Sequence, residues 1–348
     1  MITVFLNNPI QMFTIILLIF AVICSCSLFT NAIEHLGKKL KLGNNAIGSI
    51  LAVIGTSLPE TIVPIVAILS SLLFAQEFQM GKEIALGAIM GSPFMLITFA
   101  LGLLGAKLLF LFLLKKRSTF CLNIDSASAA RTCRYFIVAY LVMVLAGFLQ
   151  DIRIKVICVI FLLSFYLFFI YRTIVKSKQN FIEQDVDELI FQKFFKIIGS
   201  PKYFVIIFQI LFSLLILVLS IHCFVTTLEG ISEQLNISPV ILSLIIAPFA
   251  TELPECFNSV IWLKNKKDDL AIGNILGGTI FQVTIPASIG ILFTNWRFGE
   301  AIFINIICTL LAFFVLFYGT YKMKKINAFL LLTCGLFYVL FIGYLLIK

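Results

Sequence analysis

Apolar residues fall in long runs along this chain, separated by short stretches where Lys, Arg, Asp and Asn concentrate. Ten runs can be drawn, at about 10–33, 43–75, 84–114, 134–150, 153–172, 202–227, 238–263, 269–295, 300–321 and 326–347. Most are close to the roughly 20 residues a helix needs to cross the hydrocarbon core of a bilayer. Strands of a membrane barrel would alternate apolar and polar positions, whereas the run from Ile206 to Ile221 does not. The pattern predicts an all-α membrane protein of ten transmembrane helices. The third run is long for one crossing and carries Lys107, which predicts a tilted helix or a continuation along the membrane surface.

Charge sets the orientation. With both termini outside, the inside connections hold 20 Lys and Arg residues and the outside segments hold 5. Cytoplasmic loops carry such an excess, so N-terminus and C-terminus are both predicted outside. Composition agrees: 61% of the 348 residues are hydrophobic, against 26 basic and 17 acidic ones. A soluble enzyme or a disordered chain is excluded by that balance. The net charge of +9 does not imply a nucleic-acid partner, because the basic residues sit at the ends of apolar runs rather than on one face. The lipid bilayer is the partner the composition demands, and the 37 phenylalanines supply much of the bulk facing it. Nine cysteines are scattered singly, without zinc-ligand spacing, and read as buried reduced thiols. Met1 to Val4 lacks a basic stretch, so the first run reads as a retained span. The connection at 173–201 contains Glu183, Asp185, Asp187 and Glu188 without EF-hand spacing and reads as a solvated cytoplasmic loop.

A shift of 195 residues superimposes Phe29 on Phe224, Glu34 on Glu229, Ile50 on Ile245, Thr56 on Thr251, Pro59 on Pro254 and Glu60 on Glu255. The chain therefore divides into a first repeat at 1–172, the loop at 173–201 and a second repeat at 202–348. Five spans per copy is an odd number, so the copies are predicted to be two inverted five-helix repeats. Repeats of this kind meet near the bilayer midplane and bind substrate there.

Within each copy one apolar run is interrupted by a polar motif, Gly55-Thr56-Ser57-Leu58-Pro59-Glu60 and Ala250-Thr251-Glu252-Leu253-Pro254-Glu255. Proline inside a helix removes one N–H and displaces the carbonyl four residues earlier, here that of Gly55 or Ala250. Carbonyl, hydroxyl and carboxylate oxygens then lie within one turn of each other, twice, and hard cations take that ligand set. A charge at the bilayer centre costs about 2.5–3.5 kcal/mol on insertion scales. Glu60, Glu252 and Glu255 bear that cost in symmetric positions, which marks them as cation ligands rather than packing. One span later come Gly87-Ala88-Ile89-Met90-Gly91-Ser92 and Gly273-Asn274-Ile275-Leu276-Gly277-Gly278, offset by 186. Glycines four apart let helices approach closely, which would press Ser92 and Gln282 toward the carboxylates.

These motifs resemble the calcium:cation antiporter superfamily, in its sodium/calcium exchanger branch, over the whole ten-span plan. That family's repeats read G-T-S-L-P-E followed one span later by G-N-x-x-G-S-N-x-x-N or D. The resemblance implies that Glu60 and Glu255 bind calcium with the carbonyl oxygens of Thr56 and Thr251, that Ser57 keeps the family hydroxyl, and that the first and sixth spans slide to alternate access. Calcium and its counter-ions would compete for shared carboxylates, and no cofactor beyond the transported ions is implied. Two ionised glutamates against a divalent cation are locally neutral, which favours occlusion. The departures are specific: Leu96 stands where the family has Asn or Asp, Gln282 where many relatives have a carboxylate, Glu252 where Ser is usual, Pro93 for Asn and Gly278 for Ser.

Three glutamates close together cannot all stay ionised when empty, so Glu252 would carry either a proton or the oxygen that a sodium ion needs. A proton-coupled divalent cation exchanger of altered stoichiometry therefore stands beside sodium coupling, and a non-transporting cation sensor stands beside both because of Leu96. An intramembrane enzyme is not expected, since the spans hold no Asp pair, Ser-His couple or metal-ligand histidines. His222, in the sixth span, reads as a bundle residue, and His35 as a solvated residue just past the first span. Glu34 and Glu229 read as helix-end residues that would attract cations or simply face solvent.

Overall fold

The computed structural model describes residues 9–39, 58–73, 78–177, 188–194, 203–235 and 238–347, and helices make up nearly all of them. In chain order these are α1 (Pro9–Lys39), α2 (Leu58–Leu73), α3 (Phe78–Met95), a five-residue π-helical segment (Leu96–Ala100), α4 (Leu101–Leu113), α5 (Ser126–Ala146), α6 (Ile152–Ser177), the short α7 (Ile190–Phe194), α8 (Tyr203–Leu235), α9 (Pro239–Lys264), α10 (Asp268–Gln282), α11 (Ile285–Phe293), α12 (Glu300–Tyr321) and α13 (Ala328–Ile347). Among the described residues eight helices are long and apolar enough to cross a membrane, the bent α9 makes a ninth, and the remainder of the second run is the shorter α2. Polarity is arranged inside out: Phe13, Phe20, Ile157, Leu211 and Val339 are more than half exposed, while Gln209, Ser213, Thr279 and Asn305 are fully buried. An exterior of that kind needs lipid to cover it.

Several predicted boundaries are corrected. The helix of the fourth run, α5, begins at Ser126, eight residues before the predicted 134, because Asp125 caps it by accepting from the N–H groups of Ala127 at 3.0 Å and Ser128 at 3.2 Å. Its polar first turns hid it from a reading based on apolar runs. The first helix continues to Lys39 and the sixth span to Leu235. His35 is thus helical, and Glu229 is 6% exposed inside α8 rather than solvated at a helix end. The third run is one long helix with a π-helical segment in its middle, and the eighth is interrupted at Val283 and Thr284, with Pro286 opening α11. The cysteines are not uniformly buried: Cys24 and Cys223 are exposed, and those described are all free.

Glycine governs the closest crossings. A Cβ on Gly87 would collide with Ser243 Oγ and lie 2.5 Å from Val240 O, and one on Gly91 would collide with Leu244 O and lie 2.6 Å from Pro248 Cγ. α3 therefore packs backbone to backbone on α9. α4 and α13 meet in the same way through Gly102 and Gly335. α1 packs along α8, and α7 is bound across that pair. Asn31 donates to Glu188 O at 3.2 Å and accepts from Ile190 N at 3.0 Å, while Gln209 accepts from Phe191 N at 2.9 Å and donates to Leu28 O at 2.8 Å. Leu189 is buried beneath α7 with Ala32 and Ile206.

The connection between α4 and α5 ties three helical hairpins together. Arg117 forms a two-pronged ion pair with the buried Asp268 and also donates to Leu263 O at 3.3 Å. Asn123 N donates to Asp268 at 2.8 Å and Asp125 N to Asp269 at 2.9 Å. On its other side Leu122 N donates to Ile326 O, Ala328 N to Phe120 O, and Ser126 Oγ to Lys324 O.

Candidate cation site

A proline directly precedes two of the three acidic residues, Glu60 and Glu255. Pro59 and Glu60 stand in the first turn of α2. α9 is bent by 47° between Leu253 and Glu255, where Pro254 has no N–H to donate to the ladder. The bend keeps Thr251 and Glu252 on one segment and Glu255 on the next. Ser92 comes from α3, just before the π-helical segment, and Gln282 is the last residue of α10 before its interruption. At the offset of 186 Leu96 superimposes on Gln282, so the two long helices lose regular α-helical form at equivalent points. Irregular backbone at membrane depth is tolerated where it is buried in protein or lines a cavity.

Glu60, Glu252 and Glu255 each offer one carboxylate oxygen within 4.8 Å of the others, and they are 3%, 0% and 1% exposed. Gln282 Nε2 donates to Glu252 Oε2 at 2.6 Å, and Thr251 Oγ1 donates to Glu252 Oε1 at 3.3 Å. Ser92 and Glu60 also lie beside Glu252. The structure thus brings together Glu60, Glu252, Glu255, Thr251, Ser92 and Gln282, while Thr56 and Ser57 lie outside the described residues. Gln282 was expected as a polar ligand beside the carboxylates. Its amide nitrogen donates to Glu252, and its Oε1 has no partner among the described residues. Leu96 is fully buried, and a Cβ on Gly278 would lie 3.2 Å from its Cδ1. The bulk gained at one departure from the family pattern is met by the bulk missing at the other.

One positioning contact escaped the sequence reading. Asn274 Nδ2 donates to Glu255 O at 3.2 Å and Ser259 Oγ at 3.1 Å, fastening α10 to the backbone of the bend. Asn274 was visible in its glycine motif, but only geometry assigns its partner. Chemically, three buried carboxyl groups this close require positive charge beside them, as a metal ion or as protons. All-oxygen donors suit a hard cation such as calcium or sodium.

A family model described as sodium/calcium exchanger protein matches residues 10–175 and 205–348. The chain belongs to this exchanger family. Its fold is shared by solved structures of low identity. The H+/Ca2+ exchanger CAX superimposes with a TM-score of 0.68 at 16% identity, covering 99% of this chain and 84% of that one. YfkE gives 0.69 at 16% identity, covering 98% and 94%. The sodium-calcium exchanger NCX_Mj, soaked with 10 mM Na+ and zero Ca2+, gives 0.56 at 18% identity, covering 96% and 98%. No curated protein matches the chain by sequence. Membership of the exchanger family and the apolar helices together make this a multi-pass integral membrane protein.

Proposed function

We propose that the protein is a secondary active antiporter that carries calcium across the membrane in exchange for sodium or protons, by alternating access. Ten spans in two inverted repeats, 1–172 and 202–348 joined by the cytoplasmic loop 173–201, would hold the ion at the midplane, with both termini outside the cell (inner) membrane. The observation that carries this reading is the convergence of Glu60 from one repeat with Glu252 and Glu255 from the other, all buried, within 4.8 Å. A divalent cation between Glu60 and Glu255 is locally neutral, with the carbonyls of Thr56 and Thr251 and the hydroxyls of Ser57 and Ser92 as further oxygens. Inorganic cations are then the only small partners needed, and no cofactor or enzymatic step is required.

Glu252 favours a second reading. Its charge has no counterpart in a calcium site of two glutamates, and Gln282 and Thr251 both spend hydrogen bonds on it. It would carry a proton in a proton-coupled exchanger of altered stoichiometry. The test is radiolabelled calcium flux in proteoliposomes with sodium and proton gradients imposed separately. Flux driven by either gradient, and lost in Glu60→Gln, is the expected result. Loss of proton-driven uptake alone in Glu252→Gln assigns the proton to that group. Calcium binding without flux identifies instead a cation sensor, the reading that Leu96 favours, and rejects the antiporter.

A further inference from the structure

The α5–α6 turn at 147–151 and the α11–α12 turn at 294–299 enclose a cavity of about 310 Å³ outside the carboxylate cluster. Phe148, Gln150, Arg297 and Phe298 line it. That volume lies within the range of small-ligand sites, about 300–1,000 Å³. Aromatic anchors fix its walls. Trp296 is fully buried, donates its indole N–H to Met143 O at 3.1 Å, and holds a φ of 41°, a conformation that a bulky residue keeps only where its surroundings dictate it. Phe298 packs on Gly147, where a Cβ would collide with its ring, and on Phe148 with centroids 6.1 Å apart. Arg297 stands between these two anchors, so contacts of its neighbours with the end of α5 set the backbone that presents it to the cavity.

Cations and exposed apolar side chains meet here. Lys155, partly buried in the first turn of α6, lies within electrostatic reach of Arg297, and Arg153 stands in the same turn. Neither Arg297 nor Lys155 has an ion-pair partner among the described residues. Only five basic residues are counted on the outer side, where such charge is depleted, and these are three of them. Next to the cavity Phe148, Ile152 and Phe303 are exposed, and Phe148 meets Phe303 edge-on with centroids 5.9 Å apart. All of this sits at the ends of helices long and apolar enough to cross a membrane. We infer that this cavity binds the phosphate group of an anionic membrane lipid. The Arg297 guanidinium forks onto two phosphate oxygens, Lys155 adds a second positive charge, Gln150 donates its amide, and the acyl chains run over Phe148 and Phe303. A free phosphate would use the same cations but gain nothing from the exposed rings, so the lipid is the occupant that both halves of the site fit.

Native mass spectrometry of the detergent-solubilised protein counts bound molecules during titration with phosphatidylglycerol, phosphatidylcholine or inorganic phosphate. The parent is expected to bind one phosphatidylglycerol at least tenfold more tightly than phosphatidylcholine. Arg297→Gln should weaken that binding about tenfold, the worth of a hydrogen bond to a charged group, and Arg297→Lys by less, because a point charge replaces the fork. Lys322→Gln removes an exposed charge from the opposite end of α12 and should leave binding unchanged. Arg297 is itself exposed, so the lipid-free thermal midpoint of Arg297→Gln should match the parent. Lys155→Gln, on the other wall, should weaken binding in the same direction and keeps the test open if Arg297→Gln is unstable. Equal affinity for the two lipids, an equal loss in Arg297→Gln and Lys322→Gln, or occupancy by inorganic phosphate without preference for lipid overturns the proposal. Binding at this cavity does not depend on the exchanger reading, and calcium flux tests that reading separately.

Discussion

Replacing Asp268 by Asn removes one charge from a buried ion pair and changes almost nothing else in size. The Asp268 carboxylate takes both nitrogens of the Arg117 fork and the N–H of Asn123 at 2.8 Å, and the two side chains are 2% and 10% exposed. Breaking such a pair by removing one partner leaves an uncompensated buried charge, at a cost of about 3–5 kcal/mol. The Asn carbonyl can still accept one of the bonds, so the loss should fall near the lower end. Asp269→Asn is the matched control. That residue is exposed and holds only the N–H of Asp125 at 2.9 Å, for a cost of about 1 kcal/mol. Thermal unfolding in detergent, followed by the fluorescence of the two tryptophans, reads the difference. Asp268→Asn should lower the midpoint by several degrees and Asp269→Asn by about 2 °C. The double replacement Arg117→Met with Asp268→Leu should recover most of the loss, because neither charge is then stranded. Equal midpoints for the two single variants would refute the claim that this pair fastens the α9–α10 hairpin.

Three further outcomes follow from contacts elsewhere. Gly91→Ala forces a methyl against Leu244 O and Pro248 and should cost about 1–3 kcal/mol and weaken calcium binding, whereas Gly343→Ala, with nothing within 4 Å, should leave both unchanged; thermal midpoints and equilibrium binding compare them. Gln209→Leu removes the bonds to Leu28 O and Phe191 N and should release α7, seen as faster hydrogen exchange at 188–194 with protection of α5 unaltered. Trp296→Phe loses the indole bond to Met143 O at 3.1 Å and should destabilise by about 1–3 kcal/mol in the same unfolding assay.

The parts legible in the sequence were those that lipid enforces on consecutive residues. α12 and α13 lie within a residue or two of the runs drawn at 300–321 and 326–347, because solvent-facing charges flank them sharply. The convergence of the three glutamates was legible for the complementary reason, that a carboxylate inside an apolar run is expensive and needs polar company. The start of α5 was missed because its first turns are polar and capped from Asp125, and the π-helical segment leaves no mark in composition. The break at Val283 did have a signal in Pro286, obscured by the apolar residues around it. Arg117 and Asp268 are 151 residues apart, and Asn31 and Gln209 are 178 apart. No local periodicity links such pairs, so only the folded chain reveals them.

Where α3 crosses α9 its two glycines put no side chain between the helices, and the consequence is mechanical. Ser92 rides on one of these helices and Glu252 on the other, so the seam at Gly87 and Gly91 works like a keel, holding these two polar side chains at a fixed separation. In the proposed antiporter, opening and closing toward either face would fall to elements outside that keel, such as the long α1–α8 pair that α7 clips together.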